Sequence, residues 1–140
     1  MAKVERKNIF PDTLYRRVVG GHLLYAPVVA VRGGTTIYVS GLVSRDKQGN
    51  VIGKGNMAAQ ITQVGENLRL SLEAAGGTLK DLVRTCTYVT DIDEFFKHVD
   101  VRQKYFGEAL PTSSTIGVSR LSHPDFMVEV EAFAVIEDPS

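Results

Sequence analysis

The chain has a single cysteine, Cys86. One thiol forms no intrachain disulfide, and a cysteine metal cluster is excluded. A lone cysteine is ordinarily a small buried hydrophobe, and Cys86 is read so, alternating with Arg84 and Tyr88 along a predicted strand. No apolar run approaches the ~20 residues that cross a bilayer, so no membrane partner is expected. The stretch Met1-Ala2-Lys3-Val4-Glu5-Arg6-Lys7 is charged and lacks the apolar core of a signal peptide. The default expectation is a cytoplasmic address. Neither sign of charge prevails, because sixteen basic residues balance sixteen acidic ones. Affinity for nucleic acid rests mainly on neutralised phosphates, so a neutral chain without a Lys/Arg run is a poor candidate for that partner. The isolated histidines, His22, His98 and His123, stand at no ligand spacing. That argues against a metal site and against a serine nucleophile served by a histidine base. Gly20-Gly21 and Gly33-Gly34 lack the phosphate-loop and dinucleotide patterns and read as turns. Repeats, low-complexity tracts and linkers are missing too.

What remains is a 140-residue chain, 44% hydrophobic and 23% charged, which reads as one domain over residues 1–140. Leu23 to Val31 is rich in β-branched and apolar residues, and Pro27 within it marks an edge or bulged strand. Thr36 to Ser40 reads as a second strand ending at Gly41, and Asp46-Lys47-Gln48-Gly49-Asn50 as a turn. The clearest element is a helix from Met57 to Ala75. Its apolar stripe is Met57, Ile61, Val64, Leu68, Leu72 and Ala75, with Asn56 as N-cap and Gly76-Gly77 as the stop. Gln60, Gln63, Glu66, Asn67 and Arg69 fall off that stripe and are expected to face water. After a helical turn at Thr78–Asp81 comes a strand, Val83 to Val89. Asp91 or Asp93 caps a second helix in which Phe95, Val99, Arg102 and Phe106 share a face, ended by Leu110-Pro111. Ser114 to Leu121 and Met127 to Ile136 complete the strands. The order β-β-α-β-α-β-β predicts an α+β fold, a mixed sheet with both helices on one face.

The last strand is the most informative stretch. Val128, Val130, Ala132, Ala134 and Ile136 make one wholly apolar face, and Met127, Glu129, Glu131, Phe133 and Val135 the other. The helices take the first face. The second then lacks a cover within one chain, and oligomerisation through it is the simplest remedy. A cleft between subunits is the natural place for a site. Glu129 and Glu131 are the candidate carboxylates, and a partly dry setting lets such a group shuttle protons near neutral pH. Leu110-Pro111-Thr112-Ser113-Ser114-Thr115 reads as a polar turn beside them, able to hold a substrate by hydroxyl and N–H donors. Tyr25 and Arg32 flank the first strand and offer a phenol and a cation.

Several ordered motifs resemble the Rid family, the reactive-intermediate deaminases also called YjgF-like proteins. They are Ile37-Tyr38-Val39-Ser40-Gly41, Ala58-Ala59-Gln60 with Asn67 and Glu73-Ala74-Ala75-Gly76, Thr87-Tyr88-Val89-Thr90-Asp91, and Val128-Glu129-Val130-Glu131-Ala132-Phe133-Ala134. The resemblance runs from about Tyr25 to Val135. It implies a chorismate mutase-like, barrel-like homotrimer with small-molecule clefts between subunits and no metal or organic cofactor. It also implies that Glu129 orients the water that hydrolyses an enamine or imine to a carbonyl compound and ammonia. Ser113, Thr112, Ser114, Tyr25, Ser40 and Gly41 are the expected substrate contacts. One departure stands out. The family pattern Pro-x-Arg-Ser carries the arginine that binds a substrate carboxylate, and here Pro111-Thr112-Ser113-Ser114 puts serine in its place. Exchanging a charge-assisted contact of ~1.5–3 kcal/mol for a neutral hydroxyl weakens binding of a 2-imino acid by about one to two decades. A substrate other than 2-aminoacrylate is therefore expected, with Arg32 and Arg120 as candidates for a displaced cation. The competing reading is a non-catalytic metabolite-binding or regulatory trimer. A ribonuclease role, reported for some relatives, suits a neutral chain poorly.

Overall fold

The computed structural model describes residues 3–138. The stripe of Met57, Ile61, Val64, Leu68 and Leu72 winds into helix α1 (Met57–Ala74), all five side chains buried. Asn56 caps it, its side-chain oxygen accepting the N–H of Ala59 at 3.0 Å. At the far end Gly76 takes a left-handed backbone, φ 88°, and the N–H of Gly77 closes onto the carbonyl of Leu72 at 2.8 Å. The α1 stripe lies on the apolar face of the last strand, β8 (Val128–Ile136), whose side chains alternate between buried and half-buried along its whole length. Burying one face of each element is what ties helix to sheet.

Strand β8 runs second in a four-stranded sheet, between β5 (Thr35–Val43) and β6 (Leu82–Val89), and β7 (Thr112–Gly117) forms the far edge. β8 is antiparallel to both neighbours, while β6 and β7 are parallel. The parallel pair needs a crossover, supplied by α2 (Ile92–Phe96) and α3 (Val99–Phe106). Phe95 and Phe106 from these helices join α1 and β8 in one hydrophobic cluster, so all the helices lie on one face of the mixed sheet. The α+β architecture expected from the element order is the one observed. Two short antiparallel pairs complete the fold, β1 (Glu5–Ile9) with β4 (Val28–Arg32) and β2 (Val18–Val19) with β3 (His22–Leu23).

Several boundaries differ from the sequence expectation, each for a local reason. The strand over Leu23–Val31 is two strands, broken around Pro27, which has no N–H to give a ladder. The helix after Asp91 is two helices, because His98 leaves helical dihedrals at φ −118°, ψ 33°. Asp91, not Asp93, is the N-cap, accepting the N–H of Glu94 at 3.0 Å. Gln60 does not face water. It is fully buried, its amide donating to the carbonyls of Gly53 at 3.2 Å and Asp125 at 2.8 Å and accepting the N–H of Met127 at 2.8 Å. The residues Thr112 to Thr115 are strand, not turn. The reversal before them falls at Leu110, a non-glycine residue at φ 49°.

Candidate functional site

Ladder register sorts the candidate residues between the two faces of the sheet. On the face away from the helices, Glu129 stands opposite Tyr88 and Val43, and Glu131 opposite Cys86. The two glutamates differ in what holds them. Glu131 accepts the hydroxyl hydrogen of Tyr88 at 2.7 Å, a bond that pushes the Tyr88 phenol above its ordinary range. Glu129 has no hydrogen-bond or ion-pair partner among the described residues. Its carboxylate instead rests against Gly41, where the register of β5 against β8 shifts between Val39 and Leu42. A side chain at Gly41 would run into that carboxylate, so the bulge and its glycine together make the space for it. Gly41, Val43, Arg45, Asn67, Ser122 and Glu129 line a concavity of about 270 Å³. Ser40 lies exposed at the bulge, one residue away.

The helix-side face carries a different group. Ser113 on β7 is paired with Thr85 on β6, their hydroxyl oxygens 3.3 Å apart. From α3, Arg102 reaches the same point: Nη2 donates to the Ser113 hydroxyl at 3.3 Å. Nη1 donates to the carbonyl of Leu24 at 2.9 Å and to Oε1 of Gln103 at 2.6 Å. The guanidinium carbon lies 5.2 Å from the centre of the Phe106 ring. Arg102 is only 2% exposed, and its Nε has no acceptor. Burial first, and the nearby Arg17 cation second, push its pKa down to about 10, so it stays charged at neutral pH. Arg17, Tyr25, Phe96, Arg102, Ser113 and Thr115 line a concavity of about 500 Å³.

The expected contacts therefore fall into separate groups. Tyr25 and Ser113 meet in the helix-side concavity; Gly41 and Glu129 meet on the other face, whereas Ser40 lines a separate hollow with Tyr38 and with Ser71 and Ala74 of α1. Thr112 and Ser114 are engaged with β6, the first donating to the carbonyl of Val83 at 2.9 Å and the second accepting from Arg84 Nη2 at 3.0 Å. Arg32 and Arg120 are exposed and line neither concavity. The cation beside Ser113 is Arg102. In the sequence Arg102 shares an apolar helix face with Phe95, Val99 and Phe106, and a charge on such a stripe is the signal that marks it. Among the described residues no group of three or more His, Cys, Asp or Glu side chains is arranged to hold a metal, and no helix is long and apolar enough to cross a membrane.

A mixed sheet backed by helices on one face, with an unpaired carboxylate at a bulge on the other, defines an α+β protein of the YjgF-like fold. The family described as Endoribonuclease L-PSP matches residues 24–136. The chain belongs to this family, the Rid proteins. It is 36% identical over 108 residues to a RutC family protein of Pyrococcus horikoshii, covering 77% of this chain and 85% of that one. It is 32% identical over 110 residues to the 3-aminoacrylate deaminase RutC of Acinetobacter baylyi, covering 78% and 86%. The crystal structure of the Rid family protein YyfB of Yersinia pestis superposes with a TM-score of 0.82 at 30% identity, covering 94% of this chain and 98% of that one.

Proposed function

We propose that the protein is a hydrolase of the Rid type, converting a small enamine or imine to the carbonyl compound and ammonia. Glu129 orients a water and takes its proton as the oxygen bonds to the imine carbon. That proton passes to the nitrogen, giving a carbinolamine. The carbinolamine's hydroxyl proton follows to the nitrogen as the C–N bond breaks, leaving the carbonyl compound and ammonia. An enamine first gains a proton at its β-carbon and loses one from nitrogen to become the imine. The scheme uses water and proton transfer only, so no cofactor enters it. The observation that carries this reading is the contrast between the glutamates. Glu131 is committed to Tyr88, whereas Glu129 is unpaired beside the Gly41 backbone and open to a concavity. The relative named 3-aminoacrylate deaminase is named for a small enamine, which supports the same class of substrate.

One protomer does not complete the site, because Glu129 and Ser113 occupy opposite faces of its sheet. The reading is therefore that of a homotrimer, in which the face bearing Glu129 in one copy meets the β7 edge of the next. Half-buried Phe133 and Val135 lie on that face, with Tyr38 76% exposed against the edge of Phe133, whereas Met127, expected there, packs against the helix-side core. Apolar surface of this kind favours a partner. Ammonia release from imines generated in solution tests the chemistry. The protein is expected to exceed the buffer rate, and Glu129→Gln to lose a factor of about 10²–10⁴, the usual share of a positioned acid–base group. Equal rates for protein, variant and buffer across the candidate imines would sink the reading.

A further inference from the structure

Among the described residues, Leu110 is the one non-glycine residue at positive φ. A leucine stays in that region only where its surroundings over-determine it. Here those surroundings come from the other end of the chain. The carbonyl of Ala109 accepts from Arg6 Nη2 at 2.7 Å and from Asn8 Nδ2 at 3.2 Å, and the carbonyl of Leu110 accepts from the same Asn8 amide at 3.1 Å. The carbonyl of Pro111 accepts the N–H of Ala26 at 3.2 Å. Three successive carbonyls at the reversal are thus held by β1 and by the residues leading into β4. Arg6 Nε donates to Asn8 Oδ1 at 3.0 Å, which turns the Asn8 amide nitrogen toward the reversal, and Arg6 Nη1 donates to the carbonyl of Lys80 at 2.9 Å. Arg6 and Asn8 stand two residues apart on one face of β1, opposite Val31 and Val29 of β4. β1 itself lies outside residues 24–136, which match the family.

The reversal leads within three residues to Ser113, and Ala26 directly follows Tyr25. Leu24, Tyr25, Ser113 and Thr115 belong to facing walls of the helix-side concavity. We propose that β1 is a latch on that concavity, with Arg6 and Asn8 as positioning residues that fix the spacing of Tyr25 and Ser113. Neither side chain touches a substrate; both act through the reversal at Leu110. Without the Asn8 amide, Leu110 relaxes out of the left-handed region, the Pro111 carbonyl turns from Ala26, and the two walls separate. The latch is a property of the fold. Its effect on turnover rests on the hydrolase reading.

Asn8→Asp in the full chain makes the test. It keeps the shape of the side chain and an acceptor for Arg6 Nε, but sets an oxygen against the two carbonyls. Amide hydrogen exchange is expected to run at least about tenfold faster along β7, with α1 and β8 at their parent rates. The KM for an imine generated in solution is expected to rise about tenfold while kcat stays within about twofold. Leu110→Gly removes the leucine's preference against positive φ. The double variant Asn8→Asp/Leu110→Gly is therefore expected to regain most of the β7 protection and the lower KM, a rescue that loss of a general staple does not show. Parent-like exchange of β7 in Asn8→Asp overturns the proposal. So does acceleration shared equally by α1 and β8, or a double variant no better than Asn8→Asp. Acceleration confined to β7 and reversed by Leu110→Gly, in a protein that releases no ammonia from any imine, keeps the latch and removes the hydrolase. Ammonia release with KM and β7 exchange unchanged in Asn8→Asp does the reverse.

Discussion

At the scale of single residues, the groups that matter most are polar side chains in apolar company. Gln60 is one: its amide joins the loop carbonyls of Gly53 and Asp125 to the N–H of Met127, where β8 begins. Gln60→Leu fits the volume but strands those three backbone groups. It is expected to destabilise the fold by roughly 2–4 kcal/mol in urea titration, with the slope unchanged, since unsatisfied buried groups carry their full desolvation penalty. A loss under 1 kcal/mol, of the order of one ordinary hydrogen bond, would mean that water replaces the amide. Arg102 is the second such residue. Helical periodicity located both correctly on α1 and α3 but said nothing of what lies across from them, because the acceptors are loop carbonyls and a hydroxyl far away in sequence. Periodicity alone therefore sets Gln60 in solvent and makes Arg102 one member of an apolar face. Glu129 was legible for the opposite reason. The strict alternation of β8 fixes its face without knowledge of any neighbour. That Glu131 is tied to Tyr88 needed the register.

At the scale of elements, the long regular pieces follow from local rules and the short ones from tertiary contacts. The α1 stripe, its asparagine cap and its glycine stop, and the alternation of β8 were all readable. β1, with the polar sequence Glu-Arg-Lys-Asn-Ile, was not, since its stability comes from pairing with β4 and from Arg6 and Asn8 bonding to the carbonyl of Ala109. The turn at Asp46–Asn50 lies between these cases. Its carboxylate accepts the N–H groups of Gln48 and Asn50, each at 2.9 Å, and these bonds hold the Asp46 carboxyl below its usual range. A depressed folded-state pKa stabilises above the unfolded value of ~3.9 and loses that contribution as pH falls through the folded one. Asp46→Ala is thus expected to melt below the parent protein at pH 7, with the gap closing in acid below ~3.9. A gap of constant size across the acid range would show that the carboxylate charge does not hold this turn.

At the scale of the whole molecule, the decisive fact is that one sheet separates the proposed water-orienting carboxylate, Glu129, from Ser113, an expected substrate contact. Alternation and register place Glu129 and Ser113 on opposite faces, and no rearrangement within a chain of this fold reverses a strand face without slipping the ladder by one residue. The cyclic trimer we propose would resolve the conflict, because a heterologous contact joins different surfaces of neighbouring copies and closes after three. This arrangement has a signature that no single-chain site shares. Glu129→Gln lacks the carboxylate but keeps Ser113, and Ser113→Asp alters the substrate contact but keeps Glu129. Each alone is expected to be inactive. Unfolded together in equal amounts and refolded, they assemble at random, and a cleft is intact when a Ser113→Asp copy supplies Glu129 to a Glu129→Gln copy that supplies Ser113. That combination arises in about one quarter of clefts. Ammonia release near that fraction of the parent rate is the expected outcome, and none is expected when the two are mixed without unfolding and do not exchange subunits. If refolded mixtures stay as inactive as their components while sedimenting as trimers, the two groups do not serve one cleft, and the site must lie on a single face of the sheet.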